Sequence, residues 1–148
     1  MKLEQLNVRD ARVQEFLWQH LVPTDFRHDF TKLDAMRYVE QQCYEGVCQL
    51  WGDMDVGFAF RATVRNPKVL EPHIMGKGIF LRSAIQQGEA IAWGLGYEKI
   101  VIWTQHDKIA DIAEKLGFER YGPLPRVHLG PDGELQDLWM LAREKRHA

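Results

Sequence analysis

Two glycines two residues apart, Gly76 and Gly78, stand in the string Pro72-His73-Ile74-Met75-Gly76-Lys77-Gly78-Ile79-Phe80. Ending an extended segment and opening an amphipathic one, they leave unblocked backbone N–H groups and the positive end of a helix dipole where a phosphate can sit. The chemistry this suggests is recognition of a phosphorylated cofactor. A Gly-x-Gly pair also fits an ordinary tight turn, so its flanks decide. Lys77 adds a positive charge inside the loop, and Glu71, His73 and His106 are side chains near it that can carry protons.

After the loop, Leu81, Ala84, Ile85, Gly88, Ile91, Ala92 and Leu95 fall at the three-and-four spacing of one helical face. Gly94 and Gly96 end that helix. Lys99-Ile100-Val101-Ile102-Trp103-Thr104 is a short run rich in β-branched residues, the mark of a strand covered on both faces. A second helix follows, with Asp107 as N-cap, Ile109, Ile112, Ala113 and Leu116 as its stripe, and Gly117 as a left-handed stop. Upstream, residues 2–8 read as an edge strand, and Asp10 caps a helix whose stripe is Val13, Phe16, Leu17 and either His20 or Leu21. A polar link from Pro23 to Thr31, dotted with Asp25 and Asp29, precedes a helix carrying Leu33, Met36, Tyr38, Val39 and Cys43. Residues 47–51 and 56–63 form a hairpin across Gly52-Asp53-Met54-Asp55, and Asn66-Pro67 turns the chain into a strand from Lys68 to His73. Arg120-Tyr121-Gly122 and a strand from Leu135 to Leu141 flank a turn at Gly130-Pro131-Asp132-Gly133.

The order β-α-α-β-β-β-α-β-α-β-β, with Leu70-Glu71-Pro72, Met75-Gly76-Lys77-Gly78-Ile79-Phe80 and Glu114-Lys115-Leu116-Gly117-Phe118, resembles the GNAT superfamily of acetyl-CoA-dependent N-acetyltransferases over roughly residues 1–142. The resemblance implies an α/β (α+β) architecture: a mixed, mostly antiparallel sheet of six or seven strands with about four helices, splayed between the fourth and fifth strands. It implies acetyl-CoA as cosubstrate and an amine as acceptor. Leu70 and Pro72 match the strand that pairs with the pantetheine arm. Met75, Gly76, Lys77, Gly78, Ile79 and Phe80 match the pyrophosphate loop, and His106 lies near a position where relatives often carry a cofactor-contacting Asn. Glu71 and His73 are then the candidate catalytic bases. Tyr38, Tyr44 and Trp51 are further candidates to line an acceptor pocket, or else core aromatics.

Three positions depart from the family pattern. Met75 replaces Gln or Arg, Phe80 replaces Gly or Ala, and Ala113 stands where many members carry a Tyr that protonates the leaving thiolate. The Phe80 ring either fills the phosphate space or turns into the core and leaves the amides free. These departures, with five Trp in the chain, keep a second reading open: a GNAT-fold structural or binding module that has lost acetyl transfer, working in a homo-oligomer or larger assembly. Short chains with eroded motifs also resemble those encoded by bacteriophages.

Composition sets the outer bounds. At 148 residues with 45% hydrophobic content, one domain with a substantial core is expected. The 19 basic and 21 acidic side chains are interspersed, giving a net charge of −2 and no electrostatic grip on nucleic acid. The basic end, Arg143-Glu144-Lys145-Arg146-His147, reads as a solvated tail. No stretch approaches the ~18 apolar residues of a membrane helix and no signal peptide opens the chain, so a cytoplasmic protein that does not engage membranes is expected. Cys43 and Cys48 lack zinc-ligand neighbours, so two reduced thiols and no metal site are expected.

Overall fold

The computed structural model describes residues 1–25, 31–130 and 132–146. The elements are β1 (Glu4–Gln5), α1 (Ala11–Asp25), α2 (Lys32–Tyr44), β2 (Cys48–Asp53), β3 (Phe58–Asn66), β4 (Val69–Met75), a 3-10 turn (Gly78–Phe80), α3 (Leu81–Gly94), β5 (Lys99–Thr104), α4 (Asp107–Lys115), β6 (Glu119–Leu129) and β7 (Leu135–Glu144). The strands make one seven-stranded sheet in the order β1-β2-β3-β4-β5-β7-β6. Every neighbouring pair is antiparallel except β4 and β5, which are parallel. This is the expected α/β, mostly antiparallel architecture, with four helices among the described residues.

The two faces of the sheet are covered by different helix pairs, which follows from strand alternation. On one face Leu50, Ala59 and Met75 pack with Val13, Leu17 and Leu21 of α1 and Ala35, Met36 and Val39 of α2. On the other, Phe58, Phe60, Ala62, Leu70, Ile100 and Ile102 pack with Leu81, Ala84, Ile85 and Ala92 of α3 and Ala110 and Ala113 of α4. Asp10 does cap α1: its carboxylate accepts from the Arg12 amide at 2.8 Å and its carbonyl from Gln14 at 3.0 Å. Gly117, with φ +101°, stops α4 as expected.

Several elements differ from their sequence reading. Strand β1 is two residues long, because Asn7 already turns the chain, its carbonyl accepting from the Asp10 amide at 3.0 Å. Helix α1 continues past Pro23 to Asp25, and the rest of the expected link, up to residue 30, lies outside the described residues. In α2 the core is reached by Ala35, Met36 and Val39, while Leu33 and Tyr38 face solvent. The cap of α4 is His106, in extended conformation, so Asp107 occupies the first helical turn. There its charge complements the dipole, and it accepts from the Trp139 indole N–H at 2.6 Å. Strand β6 runs through Pro123 and Pro125, which an edge strand tolerates because one side needs no partner, with register breaks on either side of Leu124. The basic C-terminal run is not simply a tail: Arg143 belongs to β7 and pairs with Glu89 of α3 at 2.7 Å.

Candidate functional site

Strands β4 and β5 pair at two positions only, Val69 with Lys99 and Leu70 with Ile100. Beyond these the strands diverge, although β4 continues to Met75 and β5 to Thr104. On its other side β4 stays paired with β3 from Val69 through to Met75, in unbroken register from Leu70 onward after a bulge between Val64 and Asn66, so the opening lies within the sheet and not at its edge. Pro72 fits such a place. It has no N–H to give a neighbouring strand, and a central strand accepts it only where its nitrogen faces no partner. Alternation along the strand then turns the Ile74 amide to the same open side.

Two clefts fill the opening and share Pro72, Ile74 and Ile102. The inner one is apolar and narrow, about 30 Å³, walled by Phe60, Leu70 and Ile100 and by Ala84, Ile85 and Gly88 of α3. The outer one, about 230 Å³, is lined by His73 from β4, Trp103 and Thr104 from β5, Gln105, His106 and Ile109 at the start of α4, and His128 from β6. Three imidazoles from three elements therefore meet at one cleft.

The loop that closes the end of β4 leads directly into the 3-10 turn and α3. Gly76 has φ +122°, and a Cβ there would lie 2.7 Å from the Gly57 carbonyl oxygen, so both conformation and space demand glycine. At Gly78 a Cβ would meet nothing within 4 Å. The space above Gly78 is open, as a ligand lying on the backbone requires. The first internal bonds run from Phe80 N–H to the Lys77 carbonyl and from Leu81 N–H to that of Gly78, so the amides of Gly78 and Ile79 belong to the unpaired first turn. The Phe80 ring meets the edge of Phe58 at 6.2 Å between centroids and packs on the core. Of the two orientations open from sequence, it takes the one that leaves the amides free.

The sequence-derived residues are not all brought together. Leu70, Pro72 and His73 face the opening, as does His106, whose amide donates to the Thr104 hydroxyl at 3.1 Å. Met75 is buried on the α1–α2 face and does not reach the loop's outer surface. Ile79 and Lys77 are exposed, Ile79 at 83%. Glu71 does not line either cleft; its carboxylate is held by Arg65 at 2.7 Å. Tyr38 and Tyr44 are exposed on α2, and Trp51 packs at the margin of the core, so none of these three lines the opening. Ala113 is fully buried among core side chains. His128 was not singled out from sequence, because it lies in a segment whose prolines hid the strand that carries it.

Cys43 and Cys48 are free thiols that share a hydrogen bond; it holds Cys43 below the usual thiol range, and the same bond, with burial, pushes Cys48 up. Among the described residues no group of three or more His, Cys, Asp or Glu side chains is placed to hold a metal ion, and no helix is long and apolar enough to cross a membrane.

No protein-family model matches the chain, and no curated protein matches it. Solved structures do. The dodecameric spermidine N-acetyltransferase of Vibrio cholerae superposes with a TM-score of 0.76 at 16% identity, covering 97% of this chain and 92% of that one. The same enzyme in complex with CoA and spermine gives 0.70 at 16% identity over 97% and 94% of the two chains. A probable GNAT-family acetyltransferase of Chromobacterium violaceum gives 0.67 at 14% identity over 96% and 86%. With four helices, a seven-stranded sheet and one parallel pair at which that sheet opens, the chain has the fold of the GNAT acetyltransferases.

Proposed function

We propose that the protein is an acyl-CoA N-acyltransferase that moves an acetyl group from acetyl-CoA to an amine. The observation that carries this reading is the two-pair seam between β4 and β5, which opens a wedge beside the unpaired first-turn amides of Gly78 and Ile79. The residues present fit the cosubstrate. Within the Gly76–Phe80 loop the amides of Gly78 and Ile79, with the α3 dipole, suit a pyrophosphate, and Lys77 contributes charge from solvent. Leu70, Pro72 and the open backbone of Ile74 suit a pantetheine arm lying along β4 as an added strand, and the apolar inner cleft suits its methylene groups. His106, at the cleft's rim, is in reach of the same arm.

Catalysis then rests mainly on holding the two reactants together, worth roughly 7–11 kcal/mol, against the ~10²- to 10⁴-fold that a general acid or base supplies. The protein's part is to position the thioester in the wedge, exclude water with Ile74, Ile102 and Ile109, and carry a proton away through imidazoles such as His73. Glu71 acts at one remove, its ion pair with Arg65 fixing the outer face of β4. The absence of a Tyr at 113 is tolerable because a thiolate leaves as a fairly stable anion, its parent thiol titrating near ~8.5. The spermine held by the Vibrio cholerae enzyme supports an amine as acceptor. A second reading, a GNAT-fold structural or binding module that has lost acetyl transfer, is favoured by Ala113 being sealed in the core. Calorimetry with acetyl-CoA separates the two: saturable binding supports the transferase, and a flat titration at millimolar cosubstrate sinks it.

A further inference from the structure

His128 is the one imidazole at the outer cleft that is half-buried; His73 and His106 are exposed. It enters from the β6–β7 hairpin, a different element from those that form the wedge itself, and so faces the opening from the β5 side, opposite β4. His73 is already engaged by another interaction. The backbone of His106 is committed to starting α4: its amide donates to Thr104 and its carbonyl accepts from Ile109 and Ala110. Across the hairpin His128 pairs with Gln136, whose side-chain oxygen is buried without a hydrogen-bond partner. Gln136 lines a second cleft of about 520 Å³ that joins the first at Gln105 and His106. A buried orphan acceptor cross-strand from a half-buried imidazole, each lining one of two adjoining clefts, is a polar arrangement that the fold alone does not require.

We infer that His128 is the catalytic base for the acceptor, taking the proton of a primary ammonium group that enters through the Gln136 cleft; this rests on the acyltransferase reading above. The balance is simple. The ammonium group gives one proton to the neutral imidazole of His128, and its nitrogen forms a bond to the acetyl carbonyl carbon. The carbon–sulfur bond breaks, its electron pair goes to sulfur, and the second nitrogen-bound proton ends on the thiol. Imidazole suits the task because a ring nitrogen can take up a proton and later return it to water.

Bromoacetyl-CoA tests this without knowledge of the acceptor. Its electrophilic carbon sits where the acetyl methyl group would, and a ring nitrogen within reach displaces bromide, releasing its proton to water. Peptide mass spectrometry of the wild-type protein is expected to find the adduct on His128, suppressed at least tenfold by a tenfold excess of CoA. His128→Gln is expected to lose that adduct while binding acetyl-CoA with unchanged affinity by calorimetry. Cosubstrate binding with the adduct on His73 or His106, or with no CoA-protected adduct at all, overturns the assignment of His128 and leaves the transferase reading standing. A flat calorimetric titration of the wild-type protein overturns both.

Discussion

Gly76 and Gly78 differ in what a side chain would meet, and substitutions at them should fail in different ways. Gly78→Val adds its side chain to open space at ordinary φ, so the fold should keep its stability to within about 0.5 kcal/mol. It also crowds the surface on which a pyrophosphate would lie. Acetyl-CoA affinity is expected to fall at least tenfold, about 1.4 kcal/mol, in a calorimetric titration. Gly76→Ala forces an L side chain into φ +122° and against the Gly57 carbonyl, and urea unfolding should show a loss of roughly 1–3 kcal/mol. Phe80 and Ala113 invert an expectation drawn from family comparison alone. Phe80 packs against Phe58, so Phe80→Ala should cost about 1–3 kcal/mol, less than the ~3–5 of a fully buried ring, because the loop leaves it half-exposed. Ala113→Tyr should not restore a proton donor; it must place a phenol in a filled core, at a cost of about 1–3 kcal/mol by the same measurement.

At the scale of elements, Arg143 of β7 fastens both helices of one face. It pairs with Glu89 of α3 at 2.7 Å, each side chain under 20% exposed, and donates to the Leu116 carbonyl at the end of α4. Arg143→Met should destabilise by roughly 2–3 kcal/mol, since it takes the cation from a mostly buried carboxylate, and adding Glu89→Met should cost less than a second such loss. Asp53 plays a like part for the N-terminus, accepting from the Lys2 amide at 2.9 Å, and that bond, first among several, holds its carboxyl below the usual range. A lowered folded-state value gives stability that is present above the unfolded value and lost as pH falls through the folded one. Asp53→Asn should therefore be less stable than wild type at neutral pH, with the gap closing in melting experiments as pH falls below about 3.9. Elements with one strong signal were legible from sequence: α3, β5 and α4 stand within a residue of their expected bounds, because one apolar face decides each helix and an almost unbroken β-branched run decides the strand. Where two rules compete, the reading failed. Pro23 did not end α1, Pro123 and Pro125 did not end β6, and Asp107 yielded the cap to His106. At β6 and at the start of α4 the partners, the β7 ladder and the Trp139 indole, are unseen in the local string and outweighed local preference. The site followed the same division, since the glycine loop is local and was read, whereas His128 reaches the cleft only through pairing at a distance.

For the molecule as a whole, binding to the folded state alone raises stability by about 2.7 kcal/mol when free ligand is a hundred times its Kd. For a chain of this length that corresponds to a rise in Tm of roughly 5–10 °C, and Gly78→Val should show a smaller rise at the same acetyl-CoA concentration. An unchanged Tm in the wild-type protein at saturating cosubstrate would contradict the transferase reading. The two-pair seam has a mechanical consequence as well. The sheet consists of two plates, β1 to β4 and β5 to β6, stitched to each other by Val69–Leu70 against Lys99–Ile100 and by the helices that bridge them. Such a joint bends about one line, like the spine of a book, and every displacement of one plate is read out as a change in the gape between them. Aperture is thus a collective coordinate: a substitution far out on β1 or β6 can tune it without touching the cleft, and whatever lies between the leaves stiffens the hinge.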